Sequence, residues 1–464
     1  MKKLISLLAV FIIVCISLCG CSSSGLGDED EIVLRISNWE EYIDLGDWDE
    51  EEAIELEDGT VIFGENNLVE DYEEWFYETY GKKVRVEYST FGTNEDLYNQ
   101  ITLGDKFDLV CPSEYMIMKM MSEDMVEPFS EDFYDTSDEN NYYINGVSPY
   151  IYDKFNELNI NGEKISDYAA GYMWGTLGVV YNPEVVSEED ASTWEILYNP
   201  KYYKQISIKD SVREAYFAGA ALYAKDEITK ESFINDPNYH SNLANVINAT
   251  DQQTIDGVEE ILSDIQKNVY SFETDAAKAD MVAGRVLGCM QWSGDAVYTM
   301  DQADEDGFEL CFASPKEANN IWFDGWCMLK KSIDGDADKK MAAQAFINFV
   351  SKSENAVRNM YYIGYTSVIS GNDSDVILDY ISYNYGAEDE DDVINYDLSY
   401  FFGRDDAIIE TSEYSLKRQL GAQYPSKEVV DGCIIMSYFD QECNERINRM
   451  WTNVRCYDLG SLFK

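Results

Sequence analysis

Two short clusters in this sequence place tryptophan or tyrosine side chains beside carboxylates. One is Trp39-Glu40-Glu41-Tyr42, which directly follows a strand-like run, and the other is Trp322-Phe-Asp324-Gly-Trp326. Aromatic faces attract ammonium groups, and each such contact contributes about 0.5–2 kcal/mol. A carboxylate inside an aromatic run needs a cationic or hydrogen-bonding partner. Two interpretations of these clusters are open: contacts to a cationic group, or aromatic core residues beside solvated acids.

Signatures of the common catalytic and metal centres are missing from the sequence. His240 is the single histidine and lies in a polar, loop-like stretch, which argues against Ser-His-Asp or Cys-His catalysis and His-rich zinc sites. The cysteines after residue 21 form no Cys-x-x-Cys pair, and several lie in apolar runs typical of buried free thiols. We therefore expect no enzymatic activity, no metal and no cofactor.

Length and charge exclude further classes of protein. At 464 residues the chain is longer than one ordinary hydrophobic core supports, so we expect two domains. The formal net charge of −55 argues against nucleic acid or an anionic membrane surface as a partner. Most of this charge is typical of a solvated, self-repelling surface, although such a field also attracts cations.

The N-terminal segment has the pattern of an export signal. An apolar run from Leu4 to Leu18 follows a basic start and is too short to span a membrane comfortably. Gly20-Cys21 then resembles a bacterial lipoprotein cleavage site, which predicts a signal peptide over 1–20 and lipid on Cys21. Residues 21–31 would form a flexible linker, and several acyl chains would anchor the protein stably to a membrane.

The elements that must position the two clusters alternate between strands and helices. Ile32–Ser37 alternates apolar with polar residues, and a helix–strand–helix–strand–helix pattern follows it. This order predicts right-handed βαβ units and a parallel sheet. Trp39–Tyr42 and Pro112–Tyr115 then fall just beyond strand ends, where open α/β sheets bind ligands. A second such region begins near Met173, and acidic, turn-rich stretches such as 372–392 indicate surface insertions.

Eight segments combine aromatic, acidic and glycine residues in one recognisable order. They are NWEEY (38–42), YSTFGTNEDLYNQI (88–101), DLVCPSEYMIMKM (108–120), WGTLGVVYN (174–182), ASTWEILYNPKYYKQISIKDSVREAY (191–216), VLGCMQWSGDA (286–296), IWFDGWCML (321–329) and IGYTS (363–367). In this order they resemble the polyamine-binding proteins of spermidine/putrescine ABC importers. Each segment is modest alone, but all of them in order are specific, whereas the C-terminal part matches only loosely.

The resemblance implies an α/β, two-domain periplasmic-binding-protein fold of type II, with mixed sheets and two hinge crossings. Domain 1 would comprise residues 32–172 and 324–367, and domain 2 would comprise residues 173–323 and 368–464. The domains would close on a polyamine, putrescine or spermidine, and deliver it to an ABC transporter permease. The protein would be a monomeric, extracytoplasmic, lipid-anchored binding protein with no cofactor and no nucleic-acid partner.

The resemblance also assigns ligand contacts by position. They are Trp39, Glu41, Tyr42, Ser113, Tyr115, Ser211, Glu214, Trp292, Trp322, Asp324 and Tyr365. Ser211 stands where spermidine binders commonly carry an acid, so the resemblance leaves the choice between putrescine and spermidine open. Independently of the family, Glu41, Glu214 and Asp324 come from distant segments and would supply separate carboxylates for separate amines if the fold brings them together.

Other interpretations of the same residues stay open. A ferric-ion binder of this fold would use adjacent tyrosines as ligands, and Tyr361-Tyr362 fits that pattern, although 35 tyrosines make such a pair common by chance. Another cationic solute is a further alternative. An extracellular glycoside hydrolase would also combine aromatic residues with paired carboxylates. Single aromatic residues are most often core residues, and Glu214 beside Arg213 is also typical of an ion pair on a helix surface.

Overall fold

The computed structural model of the protein describes residues 31–274, 276–372, 374–387 and 392–456. The predicted signal peptide, the predicted lipidation site Cys21 and all of the predicted linker except residue 31 lie outside these ranges. Within the described ranges, every helix is too short or too polar to cross a membrane.

Strands and helices alternate along this part of the chain. The β-strands are β1 Ile32–Trp39, β2 Ile54–Glu55, β3 Val61–Ile62, β4 Val84–Phe91, β5 Leu109–Val110, β6 Val126–Glu127, β7 Asn159–Ile160, β8 Glu163–Lys164, β9 Ala169–Tyr181, β10 Ile206–Ile208, β11 Ser271–Phe272, β12 Gly288–Trp292, β13 Cys311–Ala313, β14 Asn319–Leu329, β15 Thr366–Ser367, β16 Ile394–Asp397, β17 Ile408–Thr411 and β18 Cys433–Ile434. The α-helices are α1 Leu68–Tyr80, α2 Asn94–Leu103, α3 Glu114–Ser122, α4 Tyr142–Gly146, α5 Pro149–Glu157, α6 Glu188–Ala191, α7 Val212–Tyr223, α8 Lys225–Ile228, α9 Glu231–Ile234, α10 Tyr239–Ile247, α11 Gln252–Asn268, α12 Ala276–Val282, α13 Ser293–Glu305, α14 Lys330–Ile333, α15 Ala337–Val350, α16 Ser353–Ile363, α17 Val376–Tyr385, α18 Ser399–Phe402, α19 Glu413–Leu416, α20 Gln419–Gln423, α21 Lys427–Asp431 and α22 Gln441–Cys456.

One mixed sheet runs through the whole described structure, in the order β11-β10-β12-β9-β14-β5-β1-β4 along its main path. At one end β1 pairs in parallel with both β4 and β5, and at the other end β10 pairs in parallel with β11 and β12. Strand β9 joins the two ends by pairing antiparallel with both β12 and β14. The alternation predicted from the sequence therefore produces two groups of parallel strands.

The first hydrophobic core surrounds β1, β4 and β5. Alternate residues of β1 are buried, and helix α1 buries the side of its surface that carries Leu68, Tyr72 and Phe76. The amide of Val69 donates to the Asn67 side chain at the start of this helix, and Gly81 ends it in the left-handed conformation. This helix therefore begins and ends where the capping residue Asn67 and the glycine Gly81 predict.

A second core surrounds β10 and β12. Helices α7 and α11 pack on this part of the sheet through apolar faces, which include Phe217 of α7 and Leu262 of α11. The C-terminal helix α22 covers α11, with Ile447 and Met450 buried between the two helices and their surroundings.

Strand β9 runs from the first core into the second, and β14 pairs with it inside the first core. Trp174 of β9 belongs to the first core, whereas Leu177 of the same strand belongs to the second. The chain returns close to the start of β14, because Ala318 lies in the second core and Ile321 in the first. The domain boundaries predicted from the sequence stay a prediction.

The C-terminal segment packs differently from its predicted assignment. The sequence analysis placed residues 368–464 in domain 2, but Val376, Phe401 and Cys433 lie in the first core. The Phe401 ring stacks on Trp174 with the ring centroids 5.9 Å apart. The acidic composition around residues 372–392 concealed the apolar face of α17. We therefore propose that residues 376–411 belong with domain 1, whereas α20 packs against α13 and β13 of the predicted domain 2.

Candidate ligand-binding site

The parallel strands of both groups carry the predicted site residues at their carboxyl ends. Trp39 is the last residue of β1, and Ser113 follows β5 as the N-cap of α3. In the second group Trp292 is the last residue of β12, while Ser211 is the N-cap of α7 shortly after β10. Carboxyl ends of parallel strands are where open α/β sheets hold ligands, and here both sets of ends contribute.

Asp324 lies at the centre of the first set. It occupies a bulge of β14 opposite β9, and a backbone bridge to Ser113 holds it beside the end of β5. The Tyr42 hydroxyl donates to Asp324 Oδ2 at 2.8 Å, and Ser113 Oγ donates to Oδ1 at 2.7 Å. Both carboxylate oxygens therefore have neutral hydrogen-bond donors.

Burial sets the electrostatic character of Asp324. The residue is 6% exposed, and this burial raises the pKa of its carboxyl to about 6 even though the Ser113 and Tyr42 hydroxyls favour the ionised form. Among the described residues, no lysine or arginine forms an ion pair with Asp324. A buried carboxylate held by neutral groups alone is costly to ionise, and a cation from outside the chain would remove that cost.

Aromatic rings line the space around this carboxylate. The Tyr42 ring lies 5.2 Å from the Tyr365 ring, and Tyr365 lies 5.8 Å from Trp322. Glycines make this close approach possible. A Cβ atom on Gly294 would lie 2.5 Å from the Tyr365 ring, and one on Gly175 would lie 2.5 Å from the Trp322 ring.

Glu214 is the corresponding carboxylate of the second set. It lies in the first turn of α7, where an acidic side chain is favourable at the positive end of the helix dipole. Trp292 Nε1 donates to Glu214 Oε1 at 3.3 Å, and Ser211 Oγ donates to Oε2. Glu214 is thus also held by neutral donors, and within the described chain it forms no ion pair.

Contacts between the two sets bring them into one site. The Tyr365 hydroxyl donates to Asp295 Oδ1 of helix α13 at 3.1 Å. The guanidinium of Arg213, on α7, lies 3.9 Å from the centroid of the Tyr115 ring, on α3. The carboxyl ends of strands from both cores therefore face each other across the rings of Tyr42, Tyr365 and Trp322.

A lysine of the chain itself lies inside this site. Lys209 directly follows β10, its side chain is 1% exposed, and its Nζ lies 2.9 Å from Asp295 Oδ2. The same ammonium lies 3.4 Å from the centroid of the Trp292 ring. Burial opposes ionisation of Asp295, but the ammonium groups of Lys209 and Lys278 hold the pKa of its carboxyl below the usual value.

Comparison with known proteins decides the family. The family model described as bacterial extracellular solute-binding protein matches residues 67–376, which is more than half of the chain. The chain belongs to this family. It is a family of solute-binding proteins for transport and not of enzymes, which agrees with the expectation from the sequence and not with the glycoside hydrolase alternative.

Relatives of this solute-binding protein are named for polyamines. The spermidine/putrescine-binding periplasmic protein of Salmonella typhimurium is 25% identical over 348 residues, covering 75% of this chain and 80% of the relative. The protein of the same name from Escherichia coli is 26% identical over 284 residues, covering 61% of this chain and 70% of the relative. The resemblance found from the sequence motifs is thereby confirmed.

A solved structure supports the fold. The spermidine/putrescine ABC transporter substrate-binding protein of Streptococcus pneumoniae, solved with calcium and HEPES, matches with a TM-score of 0.60. It is 23% identical, and the match covers 92% of this chain and 99% of that one. The predicted α/β periplasmic-binding-protein fold of this solute-binding protein is therefore confirmed.

Two polar residues of the candidate site, Asn94 and Glu114, were not predicted from the sequence. Asn94 Nδ2 donates to Ser113 Oγ at 3.1 Å and to the Tyr115 hydroxyl at 3.0 Å, which fixes both predicted residues. Glu114 is buried and accepts a hydrogen bond from the Phe323 amide at 3.0 Å. Burial raises the pKa of Glu114 to about 7, although the Arg213 charge opposes this. Both residues lie in segments that carry the family resemblance, and that resemblance was the signal from which they could have been predicted.

Other predicted residues have different surroundings. Glu41 is exposed, has a left-handed backbone with φ of 52°, and forms no hydrogen bond or ion pair within the described chain. Its role as a ligand contact stays a prediction. Trp39 packs against Phe91 with a centroid distance of 4.7 Å, and Ser211 contacts Glu214.

The adjacent tyrosines of the ferric-ion alternative have different surroundings. The Tyr361 ring packs on Trp48 at a centroid distance of 4.7 Å, whereas Tyr362 is 43% exposed. The described residues contain no group of three or more histidine, cysteine, aspartate or glutamate side chains that could hold a metal ion.

Proposed function

We propose that this protein binds a polyamine, putrescine or spermidine, between its two halves and delivers it to an ABC importer outside the cytoplasm. The observation that carries the proposal is the environment of Asp324. It is a buried carboxylate with a raised pKa, two neutral hydrogen-bond donors and aromatic neighbours. A protonated amine is the ligand group whose charge and hydrogen bonds match this environment.

The second half of the site supports a ligand with more than one amine. Glu214 is held by the Trp292 indole and the Ser211 hydroxyl, so it too has neutral partners. An alkyl chain between two ammonium groups would lie along Trp322 and Tyr365, which are half-buried and tilted against each other. The names of the relatives from Salmonella typhimurium and Escherichia coli agree with this chemistry.

Isothermal titration calorimetry with putrescine, spermidine and spermine tests the proposal. Asp324→Asn keeps the size of the side chain and removes the charge, and it should weaken binding by about 2–5 kcal/mol because the ligand ammonium loses its buried partner. Asp306→Asn makes the same change in net charge on an exposed residue at the end of α13 and serves as the matched control. No heat with any polyamine, or equal affinities of the two variants, would refute the assignment.

We also propose that Cys21 carries lipid and that the protein works as a monomer at the membrane face. The Gly20-Cys21 pattern after an apolar run supports the lipid anchor. In a bacterial host, the wild-type protein should fractionate with membranes and Cys21→Ser should not. Light scattering of the chain from residue 22 onward should give the mass of one chain, and a dimer mass would contradict the monomer.

A further inference from the structure

We propose that Lys209 determines ligand specificity by occupying an amine subsite between Trp292 and Asp295, so that the protein favours diamines over triamines. The inference rests on the proposed polyamine function and concerns the same site. It predicts which polyamine the site accepts and names the side chain responsible.

The contacts of Lys209 are those expected of a bound amine. Its Nζ lies over the Trp292 ring at 3.4 Å and forms an ion pair of 2.9 Å with Asp295. Its side chain is almost completely buried, in contrast to the exposed lysines of the surface. An ammonium between an indole face and a carboxylate combines cation–π attraction with charge pairing. The chain therefore supplies internally what a ligand amine would supply from outside.

Asp295 differs in this respect from Asp324 and Glu214. Lys209 Nζ contacts its Oδ2, while Lys278 Nζ at 3.3 Å and the Tyr365 hydroxyl at 3.1 Å contact its Oδ1. Asp324 and Glu214 are contacted by neutral donors alone among the described residues. Two carboxylates are thus available for ligand ammonium groups, and the third already has cationic partners.

The charge balance of the site leads to the same conclusion. Its carboxylates are Glu114, Glu214, Asp295 and Asp324, and its cations are Lys209, Lys278 and Arg213. With four carboxylates and three cations the site is almost balanced in charge, unlike the chain as a whole. A diamine could pair each ammonium with one available carboxylate. The third ammonium of a triamine would instead meet the Lys209 ammonium on Trp292, where like charges repel.

Calorimetric titration of the wild type and Lys209→Met with putrescine and spermidine tests this inference. Methionine keeps an unbranched apolar stem over Trp292 and removes the ammonium. The wild type should bind putrescine at least as tightly as spermidine. Lys209→Met should shift the ratio of the two dissociation constants toward spermidine by about tenfold or more. Lys209→Gln, which keeps a hydrogen-bond donor for Asp295, should shift the ratio in the same direction and covers the case in which the methionine variant does not fold.

Lys278→Met is the matched control. It removes the same charge from the same carboxylate but leaves the ammonium of Lys209 on the Trp292 ring. It should change both affinities nearly equally and the ratio by less than about threefold.

Three outcomes would overturn the inference. They are a wild type that binds spermidine tenfold tighter, folded Lys209 variants with an unchanged ratio, and equal changes of the ratio in the Lys209 and Lys278 variants. A wild type that binds neither amine would instead refute the proposed polyamine function itself, so the two failures are distinguishable.

Discussion

Lowering the pH should weaken polyamine binding by titrating Asp324. In the unliganded site burial raises the pKa of this carboxyl to about 6, whereas an exposed aspartate titrates near 3.9. The ligand amines stay protonated throughout, because amines of the lysine type titrate near 10.4. A proton on Asp324 must therefore leave before the ammonium group binds.

The size of the change in affinity follows from the fraction of Asp324 that is ionised at each pH. With a pKa of about 6, nearly all Asp324 is ionised at pH 8 and about one molecule in eleven at pH 5. The apparent dissociation constant should rise about tenfold over this interval, which corresponds to about 1.4 kcal/mol. A carboxylate with an ordinary pKa would give almost no change over the same interval.

Titrations of putrescine at pH 8, 7, 6 and 5 check the prediction, and two variants assign the titrating group. Asp324→Asn should bind weakly and with little dependence on pH. Glu114 needs separation, because burial raises its pKa to about 7 and it lies next to Ser113. Glu114→Gln should keep the step near pH 6. A flat wild-type profile, or a profile unchanged in Asp324→Asn, would falsify the assignment of Asp324 as the amine acceptor.

Further perturbations of the site have definite expected results. The folded state holds a proton on Asp324 more tightly than the unfolded chain does, so stability falls as pH rises from about 4 to 6. Asp324→Asn should therefore stabilise the ligand-free protein at pH 8 by on the order of 3 kcal/mol in urea denaturation, with no gain at pH 4. Trp322→Leu should weaken binding by about 0.5–2 kcal/mol through the lost aromatic face, measured by calorimetry. Gly294→Ala should displace Tyr365 and lower affinity while the circular dichroism spectrum stays that of the wild type. Ser211→Asp adds a carboxylate beside Glu214 and should raise spermidine affinity relative to putrescine; an unchanged ratio would contradict this. Saturating putrescine should reduce the radius of gyration in small-angle scattering, and no contraction would count against domain closure.

Local sequence patterns predicted the elements and the strand-end residues of the site. The periodicity and caps of α1 and α2 lie within a few residues of each other, so they can be found without knowledge of the fold. Trp39, Ser113 and Trp292 follow runs that are recognisable as strands, and their meeting is a consequence of parallel pairing. Asp324 was predictable because an acid between tryptophans needs a partner.

Features that depend on distant contacts were not predictable in the same way. Lys209 belongs to the stretch Ile208-Lys209-Asp210, which resembles an ordinary solvated strand end. Its burial is decided by Asp295, 86 residues further along the chain. The exposure and the left-handed backbone of Glu41 are likewise not visible in its local sequence. The packing of residues 376–411 also depends on long-range contacts, such as that between Phe401 and Trp174.

The shared ladder of β9 and β14 has a mechanical consequence. Strand β9 passes from the first core into the second, β14 pairs with it inside the first core, and Asp324 lies where the register of this pair shifts. Under the proposed domain closure this hydrogen-bonded ladder would bend, and a bulge is a point where a strand already bends and twists. Asp324, the proposed amine acceptor, lies at that bulge. We expect an amine bound to Asp324 to stiffen the bulge as well, so amide hydrogen exchange at Gly325 should slow on binding, while the exchange of ladder amides on either side stays slow throughout.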